Sequence, residues 1–255
     1  MAPCPRLPLG ASNGYGQPVL RIEIVTLFPE QVLPGLRHSI IARAEREGRI
    51  ALSAVNPRDF ATDKHRTVDD SPLGGGPGMV MKPDIIGNAI ASLNPTEADE
   101  VVFTEPWGTR FDQPMADDLA RAGRVILVCG HYEGIDARVA QRYATRVVSI
   151  GDYVLTGGEL AAMVIADAVA RQVPGVLGEA QSLAIDSHRQ GLLGAPQYTR
   201  PVDWEGRVAP EVLTGGNHGA VDRWRRQQAL RLTRDYRPDL FLRADLSRSD
   251  LDLLH

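Results

Sequence analysis

The sequence predicts an α/β fold, a parallel sheet layered with helices, followed by a small α-helical region. Three observations carry that reading. Residues 125–129 and 146–150 are short continuous apolar runs rich in Val and Ile, the pattern of strands buried on both faces of a parallel sheet. Residues 135–144, between them, have helical spacing, with Ile135, Val139, Ala140 and Tyr143 on one side. Further strands and helices alternate over residues 20–178, whereas 202–255 reads as helical.

In chain order, residues 1–19 are rich in Pro, Gly and small side chains and read as a disordered extension or an upstream translation start. VLRIEIVTLF then opens the first strand. Residues 30–48 have helical character despite Pro34, and 50–55 form a second strand. The long polar stretch 56–83 holds GGGPG at 74–78, and a loop of that length is usually functional or mobile. A helix over 84–93, a strand over 101–104 ending in the turn EPWG, and a helix over 112–122 lead into the central stretch. Residues 159–173 are apolar nearly all round, which requires burial in the core or against a second subunit, and Pro174 and Gly175 stop the helix. Residues 179–201 show no sustained period and read as an interdomain linker; helices over 222–236 and 247–254 follow.

Composition narrows the class. At 255 residues with 43% hydrophobic content the chain can bury a sizeable core. No window approaches the ~18 consecutive apolar residues of a membrane span, and the start lacks a signal-peptide pattern, so the cytoplasm is the expected location. Cys4 and Cys129 are not a disulfide framework, and no Cys or His pairs stand at ligand spacing, so no metal site is expected. A net charge of −4 argues against nucleic-acid contacts along the whole chain but leaves room for a local basic patch.

Chemistry is expected where strands end. EPWG (105–108), CGHYEG (129–134) and IGDYVLTGG (150–158) all follow strands, and in open α/β sheets ligands bind beyond the carboxyl ends of the strands. Their amides and small residues suit a flat heterocycle held by main-chain hydrogen bonds, with Tyr132, Tyr153 and Leu155 as apolar cover. GGGPG lacks the Gly-Lys-Ser/Thr of a P-loop, and no GxGxxG opens a helix after the first strand. Arg223, Arg225, Arg226, Arg231, Arg234 and Arg237 around Trp224 fit a phosphate-binding helix, although such a run is more often a solvated face with the Trp in the core. Asp186 in the linker is a candidate base, since a carboxylate carried onto a substrate and desolvated there gains proton affinity; it also fits a turn beside Ser187. Arg171 has a plain reading as the i, i+4 partner of Asp167. The six histidines are scattered and do not indicate a hydrolase triad.

Taken together, IVTLFPE (24–30), VDDSPLGGGPGMVMKP (68–83), CGHYEGID (129–136), VSIGDYVLTGGELAA (148–162), RQVPGVLG (171–178), DSHRQGLLGAPQYTRP (186–201) and TGGNH (214–218) resemble the bacterial tRNA (guanine-N1)-methyltransferases, the TrmD family of the SPOUT class. The resemblance runs from Arg21 to the C-terminus. It implies methyl transfer from S-adenosylmethionine to N1 of guanosine 37 of tRNA by a homodimer, with magnesium reported to assist. It also implies a deep trefoil knot in the sheet domain (20–178) and a helical tRNA-binding domain (202–255).

Carried over by motif, Pro106, Gly130, Tyr132, Ile150, Gly151, Tyr153, Leu155, Gly157 and Gly158 would line the cofactor pocket. Glu133 would position cofactor and guanine, Asp186 would be the general base reaching across from the partner subunit, and Arg171 would stabilise charge on the guanine oxygen. Four positions depart from the family pattern: His131 for a common Arg, Gly194 for Asp, His188 for Phe and Leu73 for Tyr. The alternatives are methylation of another RNA site or a non-catalytic RNA-binding module of the same fold.

Overall fold

In a computed structural model of the chain, the structure describes residues 19–177, 186–188 and 191–254. The expected N-terminal extension and most of the linker segment 179–190 lie outside the described residues. Two compact units divide at 178/179.

The first unit is built on a five-stranded, fully parallel sheet of order β2-β1-β6-β5-β7. Its strands are β1 (Leu20–Val25), β2 (Ile50–Val55), β5 (Glu100–Arg110), β6 (Arg124–Cys129) and β7 (Arg146–Ser149). Helices cover both faces, as the continuous apolar strands require: all six residues of β6 are buried. On one face α1 (Pro29–Leu36), α2 (Ser39–Arg46), α4 (Gln113–Arg121) and α6 (Glu159–Ala170) pack on Ile22, Ile24, Val125 and Leu127. On the other, α3 (Pro83–Ser92) and α5 (Ala137–Tyr143) pack on Val101, Phe103, Ile126 and Val128. Arg124, buried at the start of β6, is neutralised by Glu23 and by Asp99 at 3.1 Å. A buried charge is tolerated only with such partners.

Three expectations are corrected. The segment 30–48 is two helices, because Pro34 withholds an amide from α1 and the chain turns at Ser39, whose φ is +47°. EPWG is not a simple turn: β5 runs on to Arg110, and Thr104 and Thr109 both register against Val148 of β7. Gly108 lies directly on the β7 backbone, where an added Cβ would stand 2.4 Å from the Val148 nitrogen. The stretch 56–83 is also not structureless. Its short pair β3 (Asp69–Asp70) and β4 (Val80–Met81) is stitched to the 133–136 turn, with Glu133 N–H donating to the Met79 carbonyl at 3.0 Å and Met81 N–H to that of Gly134 at 2.9 Å.

The second unit contains a short antiparallel pair, β8 (Asp203–Trp204) and β9 (Arg207–Val208), then α7 (His218–Tyr236), α8 (Pro238–Phe241) and α9 (Arg248–Asp252). The described part of 179–201 belongs with it, since Leu192 is buried and Leu193 N–H donates to the Thr233 hydroxyl at 2.9 Å. Much of the arginine cluster on α7 is spent locally. Arg226 grips Asp250 at 2.6 Å, Arg234 pairs with Asp235, and Arg237 pairs with Asp239. Arg223 and Arg231 remain without an acidic partner among the described residues.

The Arg226 guanidinium, with the Ser247 hydroxyl and amide, holds the Asp250 carboxyl well below the usual carboxylate range against the opposing effect of burial. Asp250 also closes the capping box of α9. A folded pKa below the unfolded one near ~3.9 contributes stability that is present above that value and is lost as pH falls toward the folded one. Chemical denaturation of the full chain at stepped pH is therefore expected to weaken below about pH 4. Asp250→Asn should be less stable at neutral pH and show a shallower fall over the same window.

Candidate active site

The carboxyl ends of β5, β6 and β7 enclose a cavity of about 290 Å³. Its floor is set by a close crossing. Gly158 opens α6 between the ends of β5 and β6, its N–H donating to the Gly130 carbonyl at 2.7 Å. A Cβ on Gly158 would stand 2.2 Å from the Thr104 hydroxyl oxygen and 2.9 Å from the Cys129 Cα. Gly157 faces His131 across an antiparallel bridge, and a Cβ there would meet the Glu159 carboxylate and the His131 ring at 2.3 and 2.6 Å. The sequence is small here because the backbones touch.

One wall is the turn 130–134, in which Tyr132 adopts φ +58°, a conformation few non-glycine residues hold. The Gly-rich segment supports this wall from behind. Gly78, at φ +81°, lies so close to Glu133 that a Cβ would stand 2.3 Å from its Cγ. The opposite wall is the 150–158 loop, where the Tyr153 ring lies across the backbone of Gly151.

All nine residues expected to form a pocket, Pro106, Gly130, Tyr132, Ile150, Gly151, Tyr153, Leu155, Gly157 and Gly158, line this one cavity, and Glu133 lines it with them. Arg171 does not. It caps the C-terminal end of α6, whose 12 residues at ~1.5 Å each put it roughly 18 Å along the helix from Gly158. Asp186 belongs to the second compact unit and is half-buried, while Ser187 and His188 beside it are exposed. The cavity therefore has its walls within one unit, while those two expected catalytic groups lie elsewhere in the chain.

The electrostatics are lopsided. Glu105 and Glu133 line the cavity, and no Lys or Arg does so among the described residues. Burial pushes the Glu105 carboxyl above its ordinary value. His131 sits edge-on to Phe28 and Tyr132, with ring centroids 5.2 and 4.8 Å away. Its Nδ1 is buried without a hydrogen-bond partner, 3.9 Å from Glu159 Oε2. Glu159 is itself buried and accepts a 2.8 Å hydrogen bond from the Thr26 hydroxyl. Burial, and then the Glu159 charge, push the Cys129 thiol well up, which leaves it a poor nucleophile. Glu105 is the cavity residue that sequence reasoning missed, because EPWG read as a turn and a turn carboxylate gives no sign of facing inward.

No group of three His, Cys, Asp or Glu side chains among the described residues could hold a metal ion, and no helix among them is long and apolar enough to cross a membrane. The described lining, rich in glycine and main-chain groups with aromatic rings beside them, suits the binding and orienting of a flat ligand.

Comparison with known proteins agrees in one direction. The family model described as tRNA (Guanine-1)-methyltransferase TrmD matches residues 20–243. Relatives named tRNA (guanine-N(1)-)-methyltransferase include one from Magnetococcus marinus, 51% identical over 92% of this chain and 94% of its own length. Another, from Dictyoglomus turgidum, is 50% identical over 92% of this chain and 96% of its own. A third, from Geobacter sulfurreducens, is 51% identical over 92% and 96%.

Proposed function

The chain belongs to the tRNA (guanine-1)-methyltransferase TrmD family, and from that premise we infer that it transfers a methyl group from S-adenosylmethionine to N1 of guanosine 37 in tRNA. The observation that carries the reading is the convergence of nine motif residues from three strand ends on one cavity. That cavity suits the donor: main-chain groups at 130 and 150–158 offer hydrogen bonds to a heterocycle, and Tyr132, Tyr153 and Leu155 supply apolar cover. When bound, S-adenosylmethionine supplies an electrophilic methyl group on a sulfonium.

The chain's own residues then have three tasks. Neutral guanine has no free lone pair at N1, so a base must take that proton before the nitrogen can accept a methyl group. The Asp186 carboxylate fits this task, and Arg171 would hold the negative charge that spreads to the guanine oxygen. Glu133, fixed by Gly78 and by the Met79 carbonyl, orients the reactants.

A homodimer accounts for where Arg171 lies. The outer face of α6 leaves Leu160 and Val164 half-exposed at i, i+4 spacing, an apolar stripe on a helix otherwise packed into the core. Antiparallel pairing of this helix with its copy about a two-fold axis would set the partner's Arg171 beside the Gly158 end. In the same arrangement the partner's Asp186 would serve as base. We also propose the trefoil knot that the family implies for the sheet unit; the feature that bears on it is the bend at 105–108, across which Thr104 and Thr109 both register on Val148 of β7. For the magnesium that the resemblance implies, no group of three His, Cys, Asp or Glu side chains stands together among the described residues. We propose a cytoplasmic location, in keeping with a tRNA substrate, and a role in tRNA binding for the helices from residue 202 onward.

The test is methyl transfer to tRNA transcripts carrying guanosine or adenosine at nucleotide 37. Modification of the guanosine transcript alone is expected; modification of both, or of neither, overturns the reading. A finer check is Gly78→Ala. The φ of +81° and the crowded Glu133 side chain should shift the carboxylate while the fold persists, at a stability cost of about 1–2 kcal/mol. Steady-state kinetics should show kcat/KM reduced roughly tenfold to a hundredfold, as expected for a misplacement near 1 Å.

A further inference from the structure

The mechanism above leaves one carboxylate in the cavity without a task. Glu105 follows the last β5 residue paired with β6, and its oxygens reach over the 130–134 turn. One lies 3.3 Å from where a Gly130 Cβ would be, and the other 3.9 Å from that of Gly134. The carboxylate enters the cavity because neither glycine has a side chain to fill that space. It accepts no hydrogen bond and forms no ion pair with any described residue.

Nothing nearby balances it. The other carboxylate on the lining is Glu133, no Arg or Lys is present on it among the described residues, and the His131 Nδ1 is turned toward Glu159. Half-desolvated negative charge without a partner is costly, so the cavity favours a ligand that brings positive charge with it. The two forms of the cofactor implied by the proposed function differ in that respect. The methyl donor carries a sulfonium; the thioether left after transfer, S-adenosylhomocysteine, has lost that charge, while the α-ammonium and carboxylate of the two are the same.

We propose that Glu105 is a specificity-determining residue that pairs with the sulfonium of the intact donor and so selects donor over demethylated product. Loss of the methyl group returns Glu105 to its unpartnered state, which weakens the hold on the spent cofactor and favours its exit. The inference rests on the methyltransferase reading of the cavity.

The experiment is calorimetric titration of the full-length protein with S-adenosylmethionine and, separately, S-adenosylhomocysteine, for the wild type and Glu105→Gln. The variant is expected to lose about tenfold in donor affinity with product affinity changed less than about twofold, the size of a partly screened charge pair. A structural role would move both affinities together, and so would pairing with the α-ammonium; an unchanged donor-to-product ratio overturns the proposal and leaves the methyltransferase reading intact. Wild-type protein that binds neither compound overturns that reading and this inference with it. Should Glu105→Gln not fold, Glu105→Ser removes the same charge with less bulk and is read by the same ratio.

Discussion

Asp186→Ala is expected to lower turnover by roughly three orders of magnitude, the upper part of the range for loss of a general base. Donor binding should stay within about twofold, because the described cavity walls come from 104–161. Calorimetry of the donor and single-turnover methylation of tRNA separate the two effects. The reasoning is chemical: of the two carboxylates on the described lining, Glu105 is proposed to face the sulfonium and Glu133, held against Gly78, to orient the reactants, which leaves the guanine N1 proton to Asp186. A variant with full turnover, or one that fails to bind the donor, would make Asp186 a structural residue. Mixing Asp186→Ala chains with chains damaged in the cavity should restore part of the activity if base and cavity come from different copies.

Gly158→Ala should be damaging for so conservative a substitution. The backbone conformation alone does not forbid it, because Gly158, the N-cap of α6, has φ −78° and ψ −6°, which alanine can adopt. Contact decides against it. The added methyl would meet the Thr104 hydroxyl at 2.2 Å, which can rotate, but also the Cys129 Cα at 2.9 Å and the Gly130 nitrogen at 3.0 Å, which are backbone and cannot. Overpacking of this kind costs typically ~1–3 kcal/mol, and the rigid neighbours put the expectation near ~3. Thermal unfolding should show the loss, and donor affinity should fall with it, because the displaced backbone forms the cavity floor. Gly215→Ala is the control, since its nearest contact is an ordinary 3.7 Å.

Much of this was legible in the sequence, for identifiable reasons. The strands around 125–129 and 146–150 announce themselves because burial on both faces leaves no polar position in the middle of β6. The cavity residues were found because loops that follow strands and carry glycine are where backbones approach one another. Tertiary partnerships were not legible. Gly78 touching Glu133 links residues far apart in sequence, and so does Arg226 gripping Asp250, which took a cation out of the basic face that the composition of α7 suggested. The break at Ser39 was signalled by Pro34 but outweighed by the apolar spacing around it. Glu105 was hidden because β5 continues through EPWG and turns that carboxylate over Gly130. Arg171 is the instructive case: the motif names it, and the fold sets it at the far end of α6 from Gly158, a separation that no local sequence pattern announces.

The close passage of Gly108 over the peptide between Val147 and Val148 also bears on how the molecule is made. With the knotted topology proposed above, β7 would not dock by simple edge addition: either the bend at 105–108 would close around a strand already in place, or the later chain would be drawn through a bend already formed. Both routes would postpone the mating of the β5, β6 and β7 ends until nearly everything else is settled. Refolding from denaturant should therefore pass through a species with most of its helical signal and no capacity to bind the donor, and recovery of binding should lag behind recovery of secondary structure. A newly synthesised chain would be complete in its parts before it is complete in its purpose.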